Sequence, residues 1–220
     1  MMTKFNIKKE WPAIILIALA TVASLYFYQH FPERVPTHWN FAGEADGYSA
    51  KAFAAFFFPA LIIVLYLLFN FLPKLDPKRD RYEEFVPVYL RFKLVLVAFF
   101  VILYFISSLV GIGYNLPINV VVPIMVGLLF IFIGNYLGKI KQNWFIGIRT
   151  PWTLANEEVW NKTHRVGGWA FIIAGVLFLI TPLVANRWSI IAILILVGIT
   201  IISVIVYSYI LFKKISKKTP

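Results

Sequence analysis

Residues 94–113, LVLVAFFVILYFISSLVGIG, run for twenty positions without a charged side chain. At about 1.5 Å per residue, a helix of this length measures about 30 Å, the depth of the hydrocarbon layer of a bilayer. Four further apolar stretches occur, at about residues 11–29, 53–72, 118–138 and from 166 onward. The last is too long for one crossing and breaks at Asn186-Arg187 into spans near 166–185 and 188–212, so six helices are expected. Helical form follows from the solvent: hydrocarbon offers no partner to backbone N–H and C=O groups, so each segment must satisfy its own. Ala18-Leu19-Ala20 resembles a small-residue cleavage site. The apolar run continues well past it, and the first stretch is read as a crossing helix, not a signal peptide.

Bulk composition agrees. Hydrophobic residues make up 60% of the chain, charged residues 14% and aromatics 18%, against about 45–50% apolar and about 25% charged in an ordinary soluble domain. The expected architecture is all-α, one polytopic membrane domain over residues 1–220, with no segment left to build a separate water-soluble core. The absence of cysteine excludes disulfides, thiolate metal sites and cysteine nucleophiles. The net charge of +11 reports orientation in such a chain, and no direct nucleic-acid partner is expected. Lys4, Lys8 and Lys9, six basic residues from Lys74 to Lys93, five from Lys139 to Arg165, and four in the C-terminal tail all fall on one side of a six-span arrangement. These eighteen stand against Arg34, Lys51 and Arg187 on the other side, which places both termini in the cytoplasm.

The six apolar cores carry no Asp, Glu, Lys, Arg or His. Ion-driven carriers and pumps need such groups, so a transporter is disfavoured. HExxH, GxSxG and P-loop patterns are also absent; catalysis has no obvious agent, the chain is not read as an enzyme, and no cofactor is expected. Gly134 and Gly138 in GNYLG form a small-xxx-small face that lets helices approach closely within the bundle.

Specific chemistry is confined to two loops. Residues 31–51 read FPERVPTHWNFAGEADGYSAK. Two prolines stiffen this segment, Asp46-Gly47 is expected to turn, and the amphipathic ring of Trp39 suits a membrane surface, so residues 30–52 should be ordered on the outer side. His38, Glu44 and Asp46, with His30, offer nitrogen and oxygen ligands to a metal. Such residues more often cap turns and bond loop backbone, and that structural role is the expected one.

The second loop, residues 139–165, contains NWFIGIRTPWTLANEEVWNKTHR from Asn143 to Arg165. Thr150 followed by Pro151 signals a helix start, the hydroxyl as N-cap and the proline at the first helical position. On a short interfacial helix, Trp152, Ala155, Val159 and Thr163 would share a face with Trp160 beside it. Glu158 and Lys162 would pair at i, i+4, and Asn156, Glu157 and Asn161 would face water. Trp144, Trp152 and Trp160 are then expected at headgroup depth, with Arg149 near lipid phosphate or stacked on a ring.

NWFIGIRTPWTL followed by EEVWNKTHRVGG resembles the hallmark of the SdpI family, bacterial membrane proteins named for immunity to the sporulation-delaying toxin. VPTHWNFAGEADGYSAK is similar to the extracytoplasmic module that precedes it there, so the resemblance runs from about Phe31 to Gly168. It implies a six-span protein of the bacterial cell membrane that protects against a secreted antimicrobial peptide toxin. It further implies a receptor that holds a cytoplasmic transcriptional repressor at the membrane. The outer loop is the only substantial segment an arriving peptide meets, which makes Pro36, His38, Trp39, Asn40, Gly43 and Asp46 the expected toxin contacts. Signalling then falls to Asn143, Trp144, Gly147, Arg149, Thr150, Pro151, Trp152, Trp160, Thr163, His164 and Arg165. The alternatives are a peptide or lipid exporter of flippase type, which would need a polar pathway, and a membrane-embedded enzyme using His38, Glu44 and Asp46.

The charge split makes a topology prediction. Reporter fusions after Lys51 and Arg187 should read as external, and fusions after Arg79 and Lys162 as cytoplasmic; a cytoplasmic signal at Lys51 would overturn the arrangement.

Overall fold

The computed structural model describes residues 7–184 and 187–217, without the side chains of Ile7 and Lys8. Lys4, the break at Asn186, and Lys218 lie outside the described residues. Six helices are long and apolar enough to cross a membrane, and the chain is a multi-pass membrane protein. They are α1 (Ile7–His30), α2 (Lys51–Leu75), α3 (Val86–Gly111), α4 (Ile118–Leu137), α6 (Glu157–Ile180) and α7 (Arg187–Ser216), with a short α5 (Pro151–Ala155) before α6. Their ends have local causes. α1 stops before Pro32 and α2 before Asp76-Pro77, where the ring removes the next N–H. α3 closes at Gly113, whose φ of +101° lets the Tyr114 N–H reach back to the Leu109 carbonyl at 3.0 Å.

The expected ordered loop between α1 and α2 is an antiparallel hairpin, β1 (Arg34–Trp39) and β2 (Ala45–Ala50). Asp46-Gly47 does not turn; it lies in β2, with Gly47 opposite His38. The chain reverses at Asn40–Glu44, because Asn40 Oδ1 accepts the N–H groups of Ala42 (2.9 Å) and Glu44 (3.1 Å) and Gly43 takes φ +84°. An asparagine that bonds its own downstream backbone competes successfully with the Asp-Gly pair for the turn.

The chain divides into two compact units. One contains Lys4–Phe71 and Leu90–Met125. Its core is a stripe of Ala13, Ala20 and Phe27 on α1, packed with Ala55 and Ile62 of α2 and Val97, Val101 and Tyr104 of α3. The seven-residue spacing keeps these positions on one face, and the alanines allow close approach where no hydrophobic drive acts between helices. Tyr104 donates its hydroxyl to the Ala55 carbonyl at 3.0 Å, which removes a polar group from the apolar interior. Val35 of β1 and Phe31 are buried, and a Cβ on Gly111 would strike both of them, so the hairpin is seated on the end of α3.

The other unit contains Leu72–Tyr89 and Val126–Pro220. Here α4 and α6 cross with their backbones touching at two levels. A Cβ on Gly127 would lie 2.7 Å from the Gly175 carbonyl oxygen, and one on Gly134 2.5 Å from that of Gly168. The reciprocal additions at Gly175 and Gly168 meet Gly127 and Gly134 oxygens at 2.6 and 2.7 Å. Close approach thus recurs every seven residues on both helices. Gly134 does pack closely as expected, but its companion is Gly127 and not Gly138, which a Cβ would leave 3.8 Å from the nearest atom.

The first unit also pairs two charges at the edge of the uncharged cores. α1 and α3 extend past the uncharged cores to include Glu10 and Lys93, whose side chains are 7% and 3% exposed and pair at 2.5 Å. Tyr66 donates its hydroxyl to Glu10 (3.2 Å) and Asn70 accepts from Lys93 (3.0 Å), so three helices meet in one satisfied polar cluster. Removing a single partner of a buried pair leaves an uncompensated charge and costs about 3–5 kcal/mol, whereas removing both is far milder. Lys93→Met should therefore lower the unfolding midpoint in detergent sharply, and adding Glu10→Gln should restore most of it. Equal midpoints for the single and double variants would contradict the pairing.

Candidate functional site

Between α4 and α5 the backbone is irregular, and where such a segment is buried its N–H and C=O groups need partners from within the protein. Fully buried Asn143 supplies four of those bonds and makes a fifth to a side chain. Its Oδ1 accepts the N–H groups of Phe145 (2.9 Å) and Ile146 (2.7 Å) and the Tyr82 hydroxyl (3.3 Å), while Nδ2 donates to the carbonyls of Lys141 and Ile146, both at 2.9 Å. Asp76, just beyond α2, clamps the same segment. Its carboxylate accepts from Tyr82 (3.0 Å), the Trp144 N–H (2.9 Å) and the Lys78 N–H (2.7 Å). Gln142 donates to the carbonyls of Thr153 (2.7 Å) and Leu154 (3.0 Å) and accepts from the Lys78 ammonium.

A second anchor comes from α6. The buried Trp160 indole donates to the Ile140 carbonyl at 2.8 Å and stacks on His164 with 4.0 Å between ring centres. His164 accepts the Ile148 N–H on Nε2 (2.9 Å), so its Nδ1 carries the proton and donates to the Trp160 carbonyl (2.9 Å). That assignment makes the ring neutral and commits both nitrogens, leaving neither for acid–base or ligand chemistry. Gly147 is required where it stands, since its φ is +114° and a Cβ there would collide with the His164 ring.

Thr150 caps α5 as expected, accepting the Thr153 N–H at 3.2 Å with Pro151 at the first helical position, and its hydroxyl also meets Ser208 of α7 at 3.1 Å. Yet α5 ends after five residues. Asn156 adopts an extended conformation and caps α6 through the Val159 N–H at 3.0 Å. α6 then runs directly into the fifth crossing helix, so Trp152 and Ala155 share no helix face with Val159 and Thr163. Trp160, expected at headgroup depth, is instead sealed inside, while Trp152 packs against Tyr209 with ring centres 5.0 Å apart. Glu158 and Lys162 pair at 2.6 Å as the spacing required. Asn161 is exposed, as is Glu157, which binds Arg81.

The eleven residues singled out in this loop thus separate into two groups. Asn143, Thr150, Trp160, Thr163 and His164 are buried, whereas Trp144, Gly147, Arg149, Pro151 and Arg165 are exposed and Trp152 lies between. Arg149 stacks on no ring; its Nη1 donates to the Trp144 carbonyl at 2.8 Å. Sequence reasoning missed Asp76, Tyr82, Gln142 and Ser208. Only Asp76 carried a signal, the Asp-Pro turn dipeptide.

On the hairpin, Arg34, His38, Asp46 and Tyr48 are exposed, Pro36, Trp39, Asn40 and Gly43 are half-buried, and Gly43 abuts the Asn119 side chain. His38 Nδ1 bonds Asp46 at 2.5 Å, but Glu44 is turned to Asn40 (3.0 Å) and His30 to the Tyr26 carbonyl (2.8 Å). The three ligand candidates do not converge, and among the described residues no group of three His, Cys, Asp or Glu is placed to hold a metal ion.

Fold and loop together define a polytopic helical membrane protein with an internally hydrogen-bonded connection between its fourth and fifth crossing helices. The resemblance read from the motifs is borne out: residues 139–208 match the SdpI/YfhL protein family, and residues 15–63 match a domain of unknown function, DUF1648. Immunity protein SdpI of Bacillus subtilis (strain 168) is 26% identical over 209 residues, covering 95% of this chain and 98% of that protein. No solved structure matches.

Replacing Asn143 by Ala orphans buried backbone groups, each costing about 1–3 kcal/mol. The variant should lose more than about 3 kcal/mol and be cut by trypsin faster at Lys141 and Arg149. Arg149→Ala removes one exposed bond and should cost less than about 1 kcal/mol. Similar rates of cleavage at Lys141 in the two variants would contradict the role given to Asn143.

Proposed function

We propose that this chain is a membrane immunity protein, protecting its cell from a secreted antimicrobial peptide by binding and not by catalysis. The similarity to Immunity protein SdpI along 95% of the chain carries this reading, because it spans the hairpin and the α4–α6 connection alike. The basic residues favour an orientation with the hairpin outside and that connection in the cytoplasm.

The hairpin suits peptide contact. Its exposed face combines Arg34, His38, Asp46 and Tyr48, with Phe41 at 53% exposure on the turn, and its buried face is seated on Gly111. Aromatic and charged groups on a rigid platform bind with little ordering cost. On the cytoplasmic side, Trp144, Arg149, Asn161 and Arg165 form the surface open to a repressor, while Asn143, Trp160 and His164 set its shape. A receptor role requires two arrangements of this surface with different affinities for peptide and repressor.

Survival against the cognate peptide tests the first contact. His38→Ala with Tyr48→Ala should raise sensitivity about tenfold, the loss of roughly 1.4 kcal/mol of binding, at unchanged membrane abundance. Arg149→Ala should abolish repressor recruitment and leave survival intact. Unaltered protection by the hairpin variant would move peptide contact to another surface, and unaltered recruitment by Arg149→Ala would reduce the connection to an anchor.

A further inference from the structure

The glycine crossing of α4 and α6 has a third level. After Gly127/Gly175 and Gly134/Gly168, Gly138 stands beside Arg165, a Cβ there falling 3.8 Å from the Arg165 Cα. Since α4 ends at Leu137, Lys139 leaves the helix at the level where Arg165 projects from α6. Both side chains are exposed. The neighbouring cations are committed: Lys141 to Glu84 (3.4 Å), Lys162 to Glu158 (2.6 Å), and Arg81 to Glu157. Lys139 and Arg165 meet no carboxylate among the described residues; the Lys139 ammonium lies over the Tyr136 ring at 4.7 Å.

From Arg165 an exposed stripe continues along α6 through Val166, Trp169, Ile173, Val176 and Ile180. Steps of three and four residues keep them on one face. The order along the helix is two unneutralised cations, then an indole 66% exposed, then aliphatic side chains. A phospholipid presents phosphate, glycerol backbone and acyl chain in that same order, and Trp is the residue suited to the middle layer. A zwitterionic headgroup would bring a cation of its own against Lys139 and Arg165; an anionic one would not.

We propose that Lys139 and Arg165 form a binding site for the phosphate of an anionic phospholipid, whose chain lies along the Trp169–Ile180 stripe of α6. The site does not depend on the immunity reading.

Native mass spectrometry of the full-length protein, equilibrated with equimolar phosphatidylglycerol and phosphatidylcholine of matched chains, tests it. Wild type should retain phosphatidylglycerol with roughly thirtyfold preference, the effect expected of two basic groups at a membrane surface. Lys139→Gln with Arg165→Gln should bring that ratio near one. Lys139→Arg with Arg165→Lys, which keeps both charges, should hold the preference and controls for loss of fold. Lys162→Gln, whose partner is Glu158, should leave it unchanged. Equal retention of the two lipids by wild type, or an undiminished preference in the double glutamine variant, overturns the site. Displacement of phosphatidylglycerol by millimolar inorganic phosphate would overturn the lipid assignment in favour of a soluble anion.

Discussion

Buried irregular backbone must find its hydrogen-bond partners inside the protein, and the connection between α4 and α5 is organised around that constraint. Asn143 answers it with one side chain that meets four backbone groups and a tyrosine hydroxyl. Asp76, Gln142, Trp160 and His164 then bond the backbone on either side, drawing on the α2–α3 connection and on α6. Each of these polar side chains is buried, and an unmet donor or acceptor there would cost more than the net worth of a bond. The exposed positions, Trp144, Arg149 and Arg165, take their places from this buried scaffold. The shape of the exposed surface is thus set by buried residues.

How much of this was legible in the sequence depends on the range of the interaction. Crossing helices were, because span length and an uncharged core are local properties, and so were the Thr150–Pro151 start and the Glu158–Lys162 pair. Asn156 defeated the expected continuous helix: its side chain caps a new helix only when its own backbone is extended, and nothing in the local pattern separates that from a water-facing asparagine. Asp46-Gly47 lost the turn to Asn40 for a similar reason, a side chain bonding backbone two and four residues on. Glu10 and Lys93 flank their apolar runs, and nothing local marks either as paired. Only their separation of 83 residues, closed by the fold, makes them a pair.

Two packing solutions coexist. In the unit containing Lys4–Phe71, alanines and aromatic rings fill the core and a tyrosine hydroxyl ties α3 to α2. In the unit containing Val126–Pro220, glycines bring α4 and α6 into backbone contact. Van der Waals contact supplies the attraction in both.

The Glu10–Lys93 cluster also bears on biogenesis. Ribosomal synthesis delivers α1 to the insertion machinery while Lys93 has yet to be translated, so the carboxylate arrives without its counter-charge. Tyr66 and Asn70 follow on α2 and offer hydroxyl and amide partners, but the cation comes only with α3. The pair therefore closes only once the third helix has been made. Final seating of these three helices is then a joint event in place of a helix-by-helix one.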